Sequence, residues 1–191
     1  MKDKIMQFTT LKKDAHIYYS INEIDNYLNN AAAYIIAGIE KGDHIVFVEN
    51  DRIFPLLQKK LKTLLNTQQM NLIHHVNNFD FFCTSGRFNP PFIFDYLTKT
   101  LKFNFDKNIS FRIWTHVEWG DQEGILKIIE EFEKESKGSV SDMRLLLVCA
   151  YDSERIPDWL NPALMTCHEF IMTEDGVVPS NLYIKSESTL S

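Results

Sequence analysis

Between residues 15 and 50 the spacing of apolar side chains changes twice. His16-Ile17-Tyr18-Tyr19 is a short, mostly apolar run. From Asn22 to Gly42 the apolar residues Ile24, Leu28, Ala31, Ile35 and Ile39 recur at helical spacing, and His44-Ile45-Val46-Phe47-Val48 is again a continuous apolar run. This predicts strand, helix, strand, with the second strand covered on both faces as in a parallel sheet. A helix is expected from about Asp51 to Asn66, with Ile53, Leu57, Leu61 and Leu64 inward. Asn71 to Val76 and Phe79 to Thr84 read as short strands divided by Asn77-Asn78. Gly86 to Pro91 reads as a loop, and Pro90-Pro91 opens a helix carrying Phe94, Leu97 and Leu101.

The second half alternates more plainly. Ile109 to Val117 is a strand; Gln122 to Ser136 is an amphipathic helix with Ile125, Ile128, Ile129 and Phe132 inward; Met143 to Tyr151 is the most apolar strand of the chain. Gly138-Ser139 is read as the break before that strand. After Pro157 come a short helix, a strand from Glu169 to Thr173, a turn at Glu174-Asp175-Gly176, an extended piece from Asn181 to Lys185, and a free tail from Ser186 to Ser191. Strands alternating with helices predict an α/β three-layer sandwich with a mainly parallel sheet and right-handed crossovers. The domain is expected to span residues 15–185, after an N-terminal extension of residues 1–14.

A strand–helix–strand opening invites a nucleotide, but the junction Ser20-Ile21-Asn22-Glu23 lacks what a phosphate needs. It has no glycines to bring backbone N–H groups around the anion and no lysine to neutralise it. Ser20 and Glu23 fit an S-x-x-E capping box instead, and a carboxylate at the positive helix end competes with phosphate.

With 191 residues, 45% of them apolar, the chain suits one core. A net charge of -6 and a pI near 5.5 argue against nucleic acid or an anionic membrane surface as partner. The basic run Lys59-Lys60-Leu61-Lys62 reads as a solvated helix face. Residues 1–14 have no signal-peptide core, no run approaches a membrane span, and three cysteines give no disulfide framework. The cytoplasm is the expected location.

Several segments in this order resemble the MEDS family, the sensory domain named after methanogens, methylotrophs and the regulator DcmR. They are His16-Ile17 with Tyr19, Gly38-Ile39-Glu40-Lys41-Gly42-Asp43, the Trp114 to Trp119 stretch, Cys149-Ala150-Tyr151-Asp152, His168, and Gly176-Val177-Val178 with Asn181 and Tyr183. The resemblance implies a degenerate relative of RecA- and KaiC-type ATPases, of P-loop NTPase architecture without the phosphate loop. It also implies a domain that senses small hydrocarbon-derived molecules and signals to kinases, anti-sigma-factor systems or DNA-binding partners. The chain differs from many members in having Cys167-His168-Glu169 where they have His-Pro, and in carrying no fused output domain, which implies a partner in trans.

Trp114, Glu118 and Trp119 fall at the C-terminal end of a central strand, where open parallel sheets bind ligands; Tyr151 and Asp152 fall on the same edge of the next. These five are the expected ligand contacts, against a reading of Trp114 and Trp119 as packing and of Asp152 as a cap. His16, Tyr19 and His168 join them through the family resemblance. Glu118 is the nearest candidate for a magnesium-holding acid, with no phosphate loop for the metal to serve. Cys149 needs an electropositive setting to become a thiolate and has acidic, apolar surroundings, so no catalytic set is expected. His74-His75, Cys83, His116 and Cys167-His168 offer donors without the spacing of a metal site, so no metal or cofactor is expected. Phe79, Phe81, Phe82, Phe88, Phe92, Phe94, Tyr96, Phe103 and Phe105 crowd one stretch, which reads as core, as the lid of an apolar ligand, or as a docking surface. The expectation is a non-enzymatic signalling module with a small-molecule ligand, a protein partner or both, and a possible homodimer. An enzyme of the nucleotide-hydrolase or Cys/His-transferase type is the alternative.

Overall fold

The computed structural model describes residues 5, 7–8, 14–84, 86–105, 110–142, 145–173 and 176–184. In chain order the elements are β1 (Ala15–Ile21), α1 (Ile24–Glu40), β2 (His44–Glu49), α2 (Phe54–Leu61), α3 (Thr67–Met70), β3 (Ile73–Asn77), α4 (Asn78–Phe82), β4 (Cys83–Thr84), β5 (Arg87–Phe88) and α5 (Pro90–Phe105). Then come β6 (Phe111–His116), α6 (Ile125–Asp142), β7 (Leu146–Asp152), a 3-10 turn (Ser153–Arg155), α7 (Leu160–Cys167), β8 (Phe170–Thr173) and β9 (Gly176–Pro179).

Seven strands form one sheet in the order β3-β2-β6-β7-β1-β8-β9, parallel except for the β8–β9 hairpin at one edge; β4 and β5 make a separate two-stranded ribbon. The register places Tyr18 beside Cys149 and Tyr19 beside Ala150. Strands buried on both faces need apolar side chains on both, which is why β2, β6 and β7 read as continuous apolar runs. One face carries α1 and α2 over Ile17, Tyr19, Phe47, Trp114 and Val148. The other carries Phe81, Phe82, Ile93, Ile129, Phe132, Leu160 and Leu164 over Tyr18, Val48, Ile113, Cys149 and Tyr151. Ile5 and Phe8 of the N-terminal extension join the first core, Phe8 meeting Phe170 edge to face at 4.8 Å.

Five local expectations are corrected. Ser20 lies within β1, and Glu23 occupies the N-cap of α1 without a side-chain cap, so no capping box forms there. The box occurs at Asn66 and Gln69, where it starts α3, while α2 ends at Leu61, short of the Asn66 expected. Phe79 to Phe82 is helical, because the Asn77 side chain accepts from the amides of Phe79 and Asp80 and turns the chain out of the strand. Gly138-Ser139 does not end α6, which continues to Asp142. The last strand is Gly176–Pro179, and Asn181 to Lys185 is not extended into the sheet over its described residues. The turn residues Glu174 and Asp175 and the tail Ser186 to Ser191 lie outside the described residues.

Candidate functional site

Alternation along the strands divides the expected site residues between the two faces. On the α1 face, Trp114 is fully enclosed by Tyr19, Tyr27, Tyr34 and Phe47, and its Nε1–H donates to Tyr27 Oη at 3.0 Å. Tyr27 in turn donates to the buried carboxylate of Glu49, which also accepts from the Asn50 amide at 2.6 Å and from His116 Nδ1 at 2.9 Å. Tyr19 accepts from Asn30 at 3.1 Å. Here the indole and the phenols serve as packing around one satisfied carboxylate.

At the sheet edge, Glu118 and Trp119 bind Arg155: Nη1 donates to Glu118 Oε1 at 2.5 Å, Nη2 donates to the Trp119 carbonyl at 2.6 Å, and the guanidinium lies 4.0 Å from the Trp119 ring centroid. Asp152 caps the 3-10 turn by accepting from the Glu154 amide at 3.1 Å. A crevice beyond β1 and β8 is lined by Tyr19, Ser20, Asn22, Glu23, Asn26, Ile171, Met172 and Thr173. It lies at the C-terminal end of β1, and none of these lining residues is Lys or Arg.

On the opposite face four polar side chains converge. His16 comes from β1, Glu133 from α6, Cys149 from β7, and His168 from the turn after α7; all four are buried. His16 Nε2 lies 3.3 Å from Cys149 Sγ and 3.7 Å from Glu133 Oε2, and His168 Nε2 lies 3.6 Å from the same carboxylate oxygen. The two imidazoles are 3.9 Å apart between centroids. Outer partners hold the group: Tyr151 donates to Glu133 Oε1, and His168 Nδ1–H donates to the Leu164 carbonyl at 2.7 Å. The backbone of Cys167 approaches His16, whose Nδ1 makes no well-formed hydrogen bond.

Burial governs the proton affinities here, because a dry site disfavours charge. It lifts the Glu133 carboxyl to about 7 and drops the His168 imidazole to about 4. His16 is lowered by burial and by His168, and the Cys149 thiol is raised by burial and by Glu133. Cys149 is therefore a thiol with no nucleophilic bias.

An apolar cavity of about 40 Å³ adjoins this cluster. Phe81, Phe82, Ile93, Phe94, Leu97 and Phe132 form its apolar wall, and Glu133 and Cys149 are also among its lining residues. The hydroxyls beside it are already engaged, Thr115 donating to the Val148 carbonyl at 3.0 Å and Ser136 to the Phe132 carbonyl at 2.8 Å. At about 10–15 Å³ for each water, the space suits roughly three waters or an organic molecule of three or four heavy atoms.

The structure thus brings His16, Tyr151 and His168 together and sets Trp114 and Tyr19 on the far side of the sheet. Sequence reasoning missed Glu133. The readable signal was a carboxylate four residues after Ile129, on the stripe that α6 turns inward.

The chain belongs to the MEDS family, the methanogen/methylotroph, DcmR sensory domain, whose family model matches residues 15–169. No curated protein matches it.

Proposed function

We propose that this chain is a non-enzymatic sensory module that takes a small, largely apolar organic molecule into the cavity beneath α5 and α6. Its occupancy is then passed to a signalling protein, of the kinase or anti-sigma type, or to a second copy of the chain. The observation that carries this reading is the cavity itself: an almost wholly apolar wall, with Glu133 and Cys149 among its lining residues, the composition of a site for a short carbon skeleton. Tyr151, His16 and His168 surround the Glu133 carboxyl beside it. The aromatic stretch expected as core, lid or docking surface supplies Phe81, Phe82 and Phe94 to the wall, while Phe79 and Phe92 are exposed. Descent from a RecA- or KaiC-type ATPase fits the mainly parallel sheet and the strand–helix junction without a phosphate cradle.

The test is thermal denaturation in a series of one- to four-carbon alcohols, ketones and haloalkanes, with xenon as an apolar probe. A ligand of the native state raises stability by about 2.7 kcal/mol at a hundredfold excess over Kd. The expected result is a saturable rise for some members of the series, abolished by Ser136→Leu, which fills the cavity. If no member stabilises the wild type, the cavity reading is overturned. Turnover of a compound in the series would favour the enzyme.

A further inference from the structure

We propose that His16, Glu133, Cys149 and His168 form a binding site for one divalent transition-metal ion of the zinc class, beside the cavity. The inference stands whether or not the cavity takes a ligand. The four candidate donor atoms, one from each residue, all lie within 4.8 Å of one another. A tetrahedral ion with bonds of about 2.0–2.3 Å holds its donors roughly 3.3–3.8 Å apart. The three separations of 3.3, 3.7 and 3.6 Å fall in that range.

Hydrogen bonding on the outside of the cluster aims the lone pairs inward. The Nδ1–H of His168 is committed to the Leu164 carbonyl, so its Nε2 carries a lone pair, and Tyr151 engages Glu133 Oε1, so Oε2 is the oxygen turned to the imidazoles. His168 Nε2 and Glu133 Oε2 have no hydrogen-bond partner among the described residues. Two acceptors that face each other at 3.6 Å call for a positive charge between them, either the Glu133 proton or a metal ion. A metal ion can supply it, and the outer partners are those that orient metal-bound imidazoles and carboxylates. Charge balance points the same way. A divalent ion with one thiolate, one carboxylate and two neutral imidazoles is a neutral unit, the form that burial tolerates. On binding, the Cys149 thiol gives its proton to solvent, and so does Glu133 where it is protonated. A mixed N, S, O donor set in tetrahedral reach suits zinc or cobalt better than magnesium or calcium, which want oxygen ligands alone.

The rival is a metal-free cluster that shares a proton through Glu133. The full chain, purified without a metal-affinity step, separates the two by elemental analysis and by titration of chelator-treated protein with cobalt(II). The expected result is one ion per chain, with the visible bands of tetrahedral cobalt and a thiolate charge-transfer band. Cys149→Ser, a near-isosteric change, should remove the thiolate band, and His168→Gln should abolish the tetrahedral spectrum. Tyr151→Phe, which removes only the outer hydrogen bond, should weaken binding about tenfold to a hundredfold. His44 and His74, whose rings meet at 2.7 Å on the surface, are the control. Binding that persists in both Cys149→Ser and His168→Gln but is lost in His74→Gln would overturn the site, as would a wild type that retains no metal and shows no cobalt bands.

Discussion

At the scale of single residues, the motif Gly38 to Asp43 has a physical explanation. A Cβ on Gly38 would lie 2.6 Å from Ile45 Cδ1 and 2.8 Å from Arg112 Cδ, so only glycine lets the Arg112 stem cross the helix. Arg112 then donates to Asp43 from Nε at 3.0 Å and from Nη2, while Ser110 donates to the other carboxylate oxygen at 2.6 Å. Gly42, at φ 81°, makes the turn that presents Asp43. The motif was visible in the sequence, but its purpose was not, because Arg112 lies about 70 residues away.

The four-residue cluster gives a prediction at the same scale. Glu133 binds its proton more tightly folded (about 7) than its ordinary value of 4.5, so it favours the fold below about pH 4.5 and loses that contribution as pH rises to about 7. His168 has the opposite sign. Its folded value of about 4 against an ordinary 6.5 makes the fold gain stability as pH rises from about 4 to 6.5. These two nearly offset each other, but His16, lowered in the same sense as His168, remains, so chelator-treated wild type should show a modest rise in Tm between pH 4.5 and 6.5. Glu133→Gln should steepen that rise, and His168→Gln should flatten it. Thermal melts across pH check both; a flat Glu133→Gln profile refutes the balance.

At the scale of elements, periodicity predicted the strands and helices whose faces are unambiguous: β1, β2, β6, β7, α1 and α6. It failed where two periods fit one segment. Phe79 to Phe82 alternates well enough for a strand, and only the Asn77 cap decides for a helix. Replacing Asn77 with Ala should therefore cost about 1 kcal/mol, read as a lowered denaturant midpoint with an unchanged slope. It should also loosen α4, whose Phe81 and Phe82 line the cavity. No change in stability would mean that tertiary packing alone holds α4. Gly138-Ser139 misled in the other direction, since helix propensity is a weak prior once a face such as Ile129, Phe132 and Glu133 is buried upstream.

At the scale of the whole molecule, the sheet order decides what the sequence could not. The candidate metal donors come from four elements, and His16 and Cys149 are 133 residues apart, so no local spacing announces them. The crevice at the C-terminal edge of β1 is likewise a product of the order, with lining residues that include Glu23 and no Lys or Arg. Millimolar Mg-ATP should accordingly leave Tm unchanged, since binding to the native state must raise it by mass action. A saturable increase would sink that expectation. The described helices include none long and apolar enough to cross a membrane.

The interior place of β1 in the sheet also has a consequence in time. It pairs with β7 on one side and β8 on the other, and both lie more than 100 residues downstream. At a synthesis rate of about 5–20 residues per second, the strand carrying His16, Tyr18 and Tyr19 emerges on the order of ten seconds before its first neighbour exists. During that wait both of its hydrogen-bonding edges are open, and an open apolar strand is a template for association with other chains. Pairings so distant along the chain also close slowly. Newly made protein should therefore depend on chaperones early, and β1 should be the last strand to gain amide protection as the sheet zips shut around it.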